Sequence, residues 1–298
     1  MNTNRRRFLA AGAACSAAAA FPCGAKAVAG PPKPQAQAAL KLSSQLGIIP
    51  GRELAEKLAL MEQWGFHAVE LPGDVAKSEK KYTEALRNTN LKVSAVCWGS
   101  HGGDLVSEVV EKRAVGIEAL RQTLTAAGAL GSTGVIFVPA FNGQTKLTNQ
   151  EIRAVLLDIL PELGEHAVKC GTRILLEPLN RNEAFFLRLV ADAAAIARDC
   201  KTPGVAVMGD FYHMYIEEPS DLGAFISAGQ LLHHVHLASR ERVLPGQDDR
   251  RFVEGFRGLQ WIGYQDYCSF ECRVRGDPHV EIPKSMAFLR REWEEASA

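Results

Sequence analysis

RILLEPLNRNE (173–183), VAVMGDFYHM (205–214), HHVHLASRERVLPG (233–246) and YCSFEC (267–272) are four apolar runs, and each carries a residue able to bind a divalent metal: Glu177, Asp210, His236 and Glu271. The steps between these four are 33, 26 and 35 residues. A strand, a helix and their two loops take about 30 residues or more. The candidate ligands therefore recur once per βα unit, each at the C-terminal end of its strand, which is where a (β/α)8 barrel keeps its active site.

Working outward, strand-like and helix-like segments alternate along the chain. Strands are expected at 40–46, 66–71, 92–98, 133–139, 172–177, 204–210, 232–237 and 265–271. Helical patterns are expected at 52–64, 78–88, 105–129, 148–170, 190–200, 219–229 and 279–294, with 247–263 only weakly helical. The expected fold is α/β, a single (β/α)8 TIM barrel over residues 39–298. A doubly wound open sheet is the alternative, but its usual GxGxxG first turn is missing from the sequence. Side chains alternate faces along a strand. Leu175 thus shares a face with Glu177, Met208 with Asp210, His234 with His236, and Ser269 with Glu271. All four candidate ligands should then point into the barrel.

Residues 1–29 follow another plan. Arg5, Arg6 and Arg7 precede an apolar, Ala-rich stretch from Phe8 to Phe21, and A-x-A sites end at Ala27 and Ala29. This is the layout of a signal peptide, too short to span a bilayer. The arginine pair with Phe8-Leu9 resembles a twin-arginine export signal, which implies the export machinery as a partner, a periplasmic location and no stable membrane insertion. Residues 30–38 read as a linker. Beyond residue 29 the chain holds 30 basic and 34 acidic residues, a balance that opposes nucleic-acid binding. Five cysteines remain there, an odd number without C-x-x-C spacing, and no disulfide framework is expected.

Two glutamates, an aspartate and a histidine form an oxygen-rich set with one imidazole, suited to Mn²⁺, Mg²⁺, Co²⁺ or Zn²⁺. Without an ion the three carboxylates would repel one another. These segments resemble the xylose-isomerase-like barrel superfamily, and within it are similar to ketose 3-epimerases and hydroxypyruvate isomerases. The resemblance covers roughly residues 40–295 and is sharpest over the last four strands. It implies one divalent ion, with Mn²⁺ first among the candidates, held by Glu177, Asp210, His236 and Glu271. It implies that Glu177 and Glu271 are also the acid/base pair, and that Glu183, His213 and Arg242 bind substrate. The implied activity is that of a sugar isomerase or epimerase working by proton transfer through a cis-enediolate on a small carbohydrate. A homo-oligomer stays open.

The chain departs from the epimerases after the metal histidine, where Glu-x-Asn-Arg is replaced by Ala238-Ser239-Arg240-Glu241-Arg242. Together with the export signal, this points to a different sugar or sugar derivative. The same ligands also suit a lyase or hydratase acting on a 3-keto glycoside. An apurinic-endonuclease-like phosphodiesterase and a non-catalytic binder are weaker readings, the first opposed by charge and the second by the paired glutamates. Of the other polar residues, His234 reads as support behind His236 and His233 as structural. Glu70 and Trp98, at the ends of the second and third strands, read as packing residues or a pocket wall, and His101 as a residue of a rim loop.

Overall fold

The computed structural model describes residues 37–298. The export-signal reading of residues 1–29 and most of the linker lie outside the described residues. Eight parallel strands follow in chain order: β1 Lys41–Ser44, β2 Ala68–Pro72, β3 Lys92–Gly99, β4 Val135–Phe137, β5 Ile174–Leu176, β6 Val205–Asp210, β7 Leu232–Leu237 and β8 Tyr267–Phe270. The sheet order β1-β8-β7-β6-β5-β4-β3-β2 rolls them into a nearly closed barrel. The seam between β1 and β2 is spanned by a Gln45–Glu70 bridge and by the His67 N–H donating to the Leu42 carbonyl at 2.8 Å. This is the expected (β/α)8 TIM barrel. Among the described residues, no helix is long and apolar enough to cross a membrane.

Nine helices surround the strands among the described residues: α1 Leu54–Trp64, α2 Val75–Leu86, α3 Val110–Ala129, α4 Asn149–Cys170, α5 Val190–Cys200, α6 Phe211–Glu217, α7 Asp221–Ala228, α8 Val253–Trp261 and α9 Pro278–Ala296. Three differ from the sequence reading. The expected helix 105–129 starts late: Leu105 and Val106 belong to a 3₁₀ turn, His101–Val106, the backbone at Ser107 and Val109 is extended, and α3 begins only at Val110. The weak 247–263 pattern contains a true helix, α8. The short α6 was missed because it follows β6 without a loop: Asp210 ends the strand and caps the helix, its Oδ1 accepting the Tyr212 N–H at 2.7 Å.

The strands face two cores. Their outer sides pack on the helices in one large apolar cluster that includes Phe137, Val207 and Phe270. Packing on that side is close: a Cβ on Gly204, ahead of β6, would run into the Gly164 carbonyl of α4. The inner sides of β3 to β6 form a small separate cluster of Ala95, Ile136, Leu175, Ala206 and Met208. The inner sides of β1, β7 and β8 are polar instead, with Ser43, His234, His236 and Ser269 all fully buried. The barrel thus fills one half with hydrocarbon and leaves the other half for hydrogen-bonding groups beneath the strand ends.

Candidate active site

Strand parity turns the four sequence candidates inward, as expected. One ligand atom from each of Glu177, Asp210, His236 and Glu271 falls in a group whose members lie within 4.8 Å of one another. His236 Nδ1 stands 3.5 Å from Glu177 Oε1, 3.7 Å from Asp210 Oδ2 and 3.3 Å from Glu271 Oε2. Glu177, Asp210 and His236 are buried, and Glu271 is partly so.

Burial here opposes charge, and the shifts follow from which neighbour outweighs it. Burial pushes the Glu177 carboxyl up, and Glu271 adds to the rise against the opposing pull of His236. Burial also acts on Asp210, but His213, His236 and Arg242 prevail and hold its carboxyl well below the usual carboxylate range. Burial would strip a proton from His236, yet Glu70 and Glu271 raise its affinity for one well above normal. The cluster therefore calls for a cation at its centre.

A divalent ion fits that demand. Among the described residues, Asp210 Oδ2 and His236 Nδ1 are buried polar atoms without any hydrogen-bond partner, and such atoms are costly unless something binds them. Both point into the group of four. Three carboxylates and one imidazole are also the donor set of a hard or borderline divalent ion.

The expected substrate residues surround this group. His213, buried on α6, accepts the Asn180 N–H at Nδ1 (3.2 Å), so its Nε2 carries the hydrogen and faces Asp210 Oδ2 at 3.7 Å. Arg242 donates to Glu183 Oε1 at 3.2 Å and to Glu271 Oε2 at 2.9 Å, and its guanidinium lies 4.9 Å from the centre of the Tyr212 ring. The Arg242 backbone is left-handed, with φ 53°. Its N–H donates to the Ser239 carbonyl, and Ser239 is in turn anchored by its hydroxyl on Asp248 at 2.8 Å. Glu183 also receives the Asn180 amide at 3.0 Å.

His234 supports the site from below: its Nε2–H donates to Glu70 Oε2 at 2.9 Å. His233 points the other way, to Asp266 at 2.7 Å. Trp98 and His101 stack on each other at 5.0 Å with their rings nearly parallel. Glu70 is buried at the edge of the site and takes hydrogen bonds from His234, His236 and Gln45. Sequence reasoning missed Gln45 and Asn180 altogether. The rule that found the four ligands, an inward residue at a strand's C-terminal end, also marks Gln45, which shares parity with the buried Ser43. A cavity of about 370 Å³ opens beside this side of the site, lined in part by Gln45, Lys57, Glu70, Pro72 and Cys97. The five described cysteines are free thiols.

A family model described as xylose isomerase-like TIM barrel matches residues 58–292. The chain is 30% identical over 264 residues to the 3-dehydro-D-guloside 4-epimerase of Escherichia coli (strain K12), covering 84% of this chain and 99% of that protein. It is 26% identical over 243 residues to the L-ribulose 3-epimerase of Methylomonas sp. (strain DH-1), covering 80% and 81%. The crystal structure of the E. coli 3-keto-D-glucoside 4-epimerase in its apo form is similar with a TM-score of 0.78 at 28% identity, over 85% of this chain and all of that one.

Proposed function

This chain belongs to the xylose isomerase-like TIM barrel family, and from that premise we propose a metal-dependent epimerase that inverts a carbon beside the carbonyl of a 3-keto glycoside. The coarser statement is plain: the chain is an enzyme of the sugar epimerase or isomerase kind. The observation that carries the finer reading is the approach of two glutamates to one point, Glu177 and Glu271 standing 3.5 and 3.3 Å from the same nitrogen of His236. The relatives named for 3-keto or 3-dehydro sugars support the substrate class, as does the altered segment after His236.

Glu177, Asp210, His236 through Nδ1, and Glu271 would hold the ion. When bound, it supplies Lewis-acid polarisation of the substrate carbonyl, which acidifies the neighbouring C–H. One glutamate removes that proton and the other returns one to the opposite face, so configuration inverts through an enediolate of the sugar. The pair sits in unequal settings, as acid and base require: Glu177 is buried and Glu271 is partly exposed. Glu271 is fixed by donors from Arg242 and Gln45. Arg242 and the Nε2–H of His213 are donors for substrate oxygens, and Glu183 is an acceptor for a hydroxyl.

The test is incubation in D₂O with Mn²⁺, comparing a 3-keto glucoside with free ketoses by NMR. The expected result is deuterium at C4 of the keto glycoside together with its C4 epimer. Exchange at C3 of free ketoses alone would make the enzyme a ketose 3-epimerase, and an elimination product without epimer would make it a lyase. No exchange with any of them overturns the reading. On the sequence of residues 1–29 we also propose twin-arginine export, which replacing Arg5 and Arg6 by Lys should block, as read by fractionation.

A further inference from the structure

We propose that Gln45 and Glu70 are positioning residues, a hydrogen-bonded brace that sets the Glu271 carboxylate and the His236 ring together. The inference rests on the reading of Glu271 and His236 given above. The Gln45 amide nitrogen has two hydrogens, and it places them on two carboxylates: Glu70 Oε1 at 2.8 Å and Glu271 Oε1 at 2.9 Å. The other Glu70 oxygen lies 2.9 Å from His234 Nε2 and 3.0 Å from His236 Nε2. One continuous set of contacts thus runs from the proposed acid/base carboxylate to the proposed ligand histidine.

Each end of the brace selects an atom. At Glu271, Oε1 is tied to Gln45, which leaves Oε2 turned toward His236 Nδ1 at 3.3 Å. Arg242 also holds Oε2, but it is the residue expected to turn to substrate. Gln45 is then the donor left to keep the carboxylate from rotating. At His236, the Glu70 carboxylate takes the Nε2–H and so leaves the Nδ1 lone pair for an ion. A neutral amide is suited to this place, since it joins two carboxylates that would otherwise repel. The location suits it as well. Gln45 and Glu70 form the backbone bridge across the β1–β2 seam, among the described residues the one neighbouring pair of strands without a ladder. The side chains that close the barrel therefore also set the site.

The test uses the full chain, with Mn²⁺ alone as the calorimetric probe and 3-keto glucoside as substrate. Gln45→Met keeps length and removes the donors. It should lower kcat about 10–100-fold while KM and Mn²⁺ affinity stay within about threefold of the parent. Glu70→Gln should weaken Mn²⁺ binding about 10–100-fold, the usual cost of losing a partner behind a metal ligand. Bound Co²⁺ should show an altered visible spectrum in Glu70→Gln and, because Glu271 is itself a proposed ligand, a smaller change in Gln45→Met. If Gln45→Met does not fold, Gln45→Asn, whose shorter amide cannot reach both carboxylates, takes its place with the same expectation. Unchanged kcat in the Gln45 variant, or unchanged Mn²⁺ affinity in Glu70→Gln, overturns the brace. So does a Gln45 variant that loses Mn²⁺ binding, because that is collapse of the site and not misorientation. A parent chain that binds Mn²⁺ but turns over no sugar defeats the functional reading instead, and the Glu70→Gln titration still judges the brace.

Discussion

Nε2 of His236 lies 3.0 Å from Oε2 of Glu70, while Nδ1 of the same ring has no hydrogen-bond partner. A carboxylate on one nitrogen of an imidazole fixes its tautomer and leaves the other nitrogen as a ligand. The buried Glu70 is ionised: burial resists its charge, but His236 and His234 outweigh that and hold its carboxyl well below the ordinary range. The orientation of one ring thus decides that a histidine, two glutamates and an aspartate share a common point.

Removing either proposed proton carrier should silence the enzyme. Glu177→Gln and Glu271→Gln keep side-chain volume and cannot exchange a proton. Each is expected to lower kcat by at least the 10²–10⁴ typical of a positioned acid/base group, with circular dichroism unchanged. Wild-type rates of deuterium exchange in either variant would remove that residue from the mechanism.

Ion binding should stabilise the fold as well as enable turnover. Prolonged dialysis against EDTA should abolish activity, and Mn²⁺ or Co²⁺ should restore it. At a hundredfold excess over Kd the ion adds about 2.7 kcal/mol, which raises Tm by roughly 5 °C in a domain of this size. A thermal scan of the EDTA-treated chain that shows the same Tm with and without each of Mn²⁺, Mg²⁺, Co²⁺ and Zn²⁺ would count against the metal site.

Arg242→Lys tests substrate grip. The guanidinium reaches Glu183 at 3.2 Å and Glu271 at 2.9 Å with different nitrogens, a span that a single ammonium does not reproduce. Losing one hydrogen bond to a charged group costs about 1.5–3 kcal/mol, so KM should rise roughly 10–100-fold while Mn²⁺ affinity holds. An unchanged KM would place Arg242 outside the substrate's reach.

The β1–β2 seam carries a pH dependence of its own. His67 Nδ1 accepts the Leu42 N–H at 3.2 Å, which requires the neutral ring. Burial, then the charges of Arg290 and Lys41, lower its pKa below the ordinary 6.5. A depressed folded-state value means that its contribution is present above about pH 6.5 and is lost as pH falls through the lowered value. The urea midpoint should therefore drop from pH 8 to pH 5, and drop less in His67→Leu. Equal drops in the two chains would assign the acid sensitivity to other groups.

Much of this was legible because a parallel barrel repeats. The βα units are of similar length, with steps of 33, 26 and 35 residues, and each ligand's strand has the same parity, so Glu177, Asp210, His236 and Glu271 announced themselves by spacing, and His234 by sharing a face with His236. Gln45 and Glu70 carry the same kind of signal on the first strands, but no recognisable motif surrounds them, and their partners lie more than 160 residues away along the chain. The late start of α3 was hidden for a different reason: Leu105 and Val106 fit the hydrophobic pattern of the helix but belong to the preceding 3₁₀ turn.

The sequence by itself determined the barrel, the order of its strands and the four residues that end the second half of them, since local periodicity and chain length dictate these. Only the tertiary structure decided which nitrogen of His236 faces inward, which oxygen of Glu271 is left free and where Arg242 rests. Those choices depend on hydrogen bonds that form across the barrel, between strands that meet only once the sheet has rolled up.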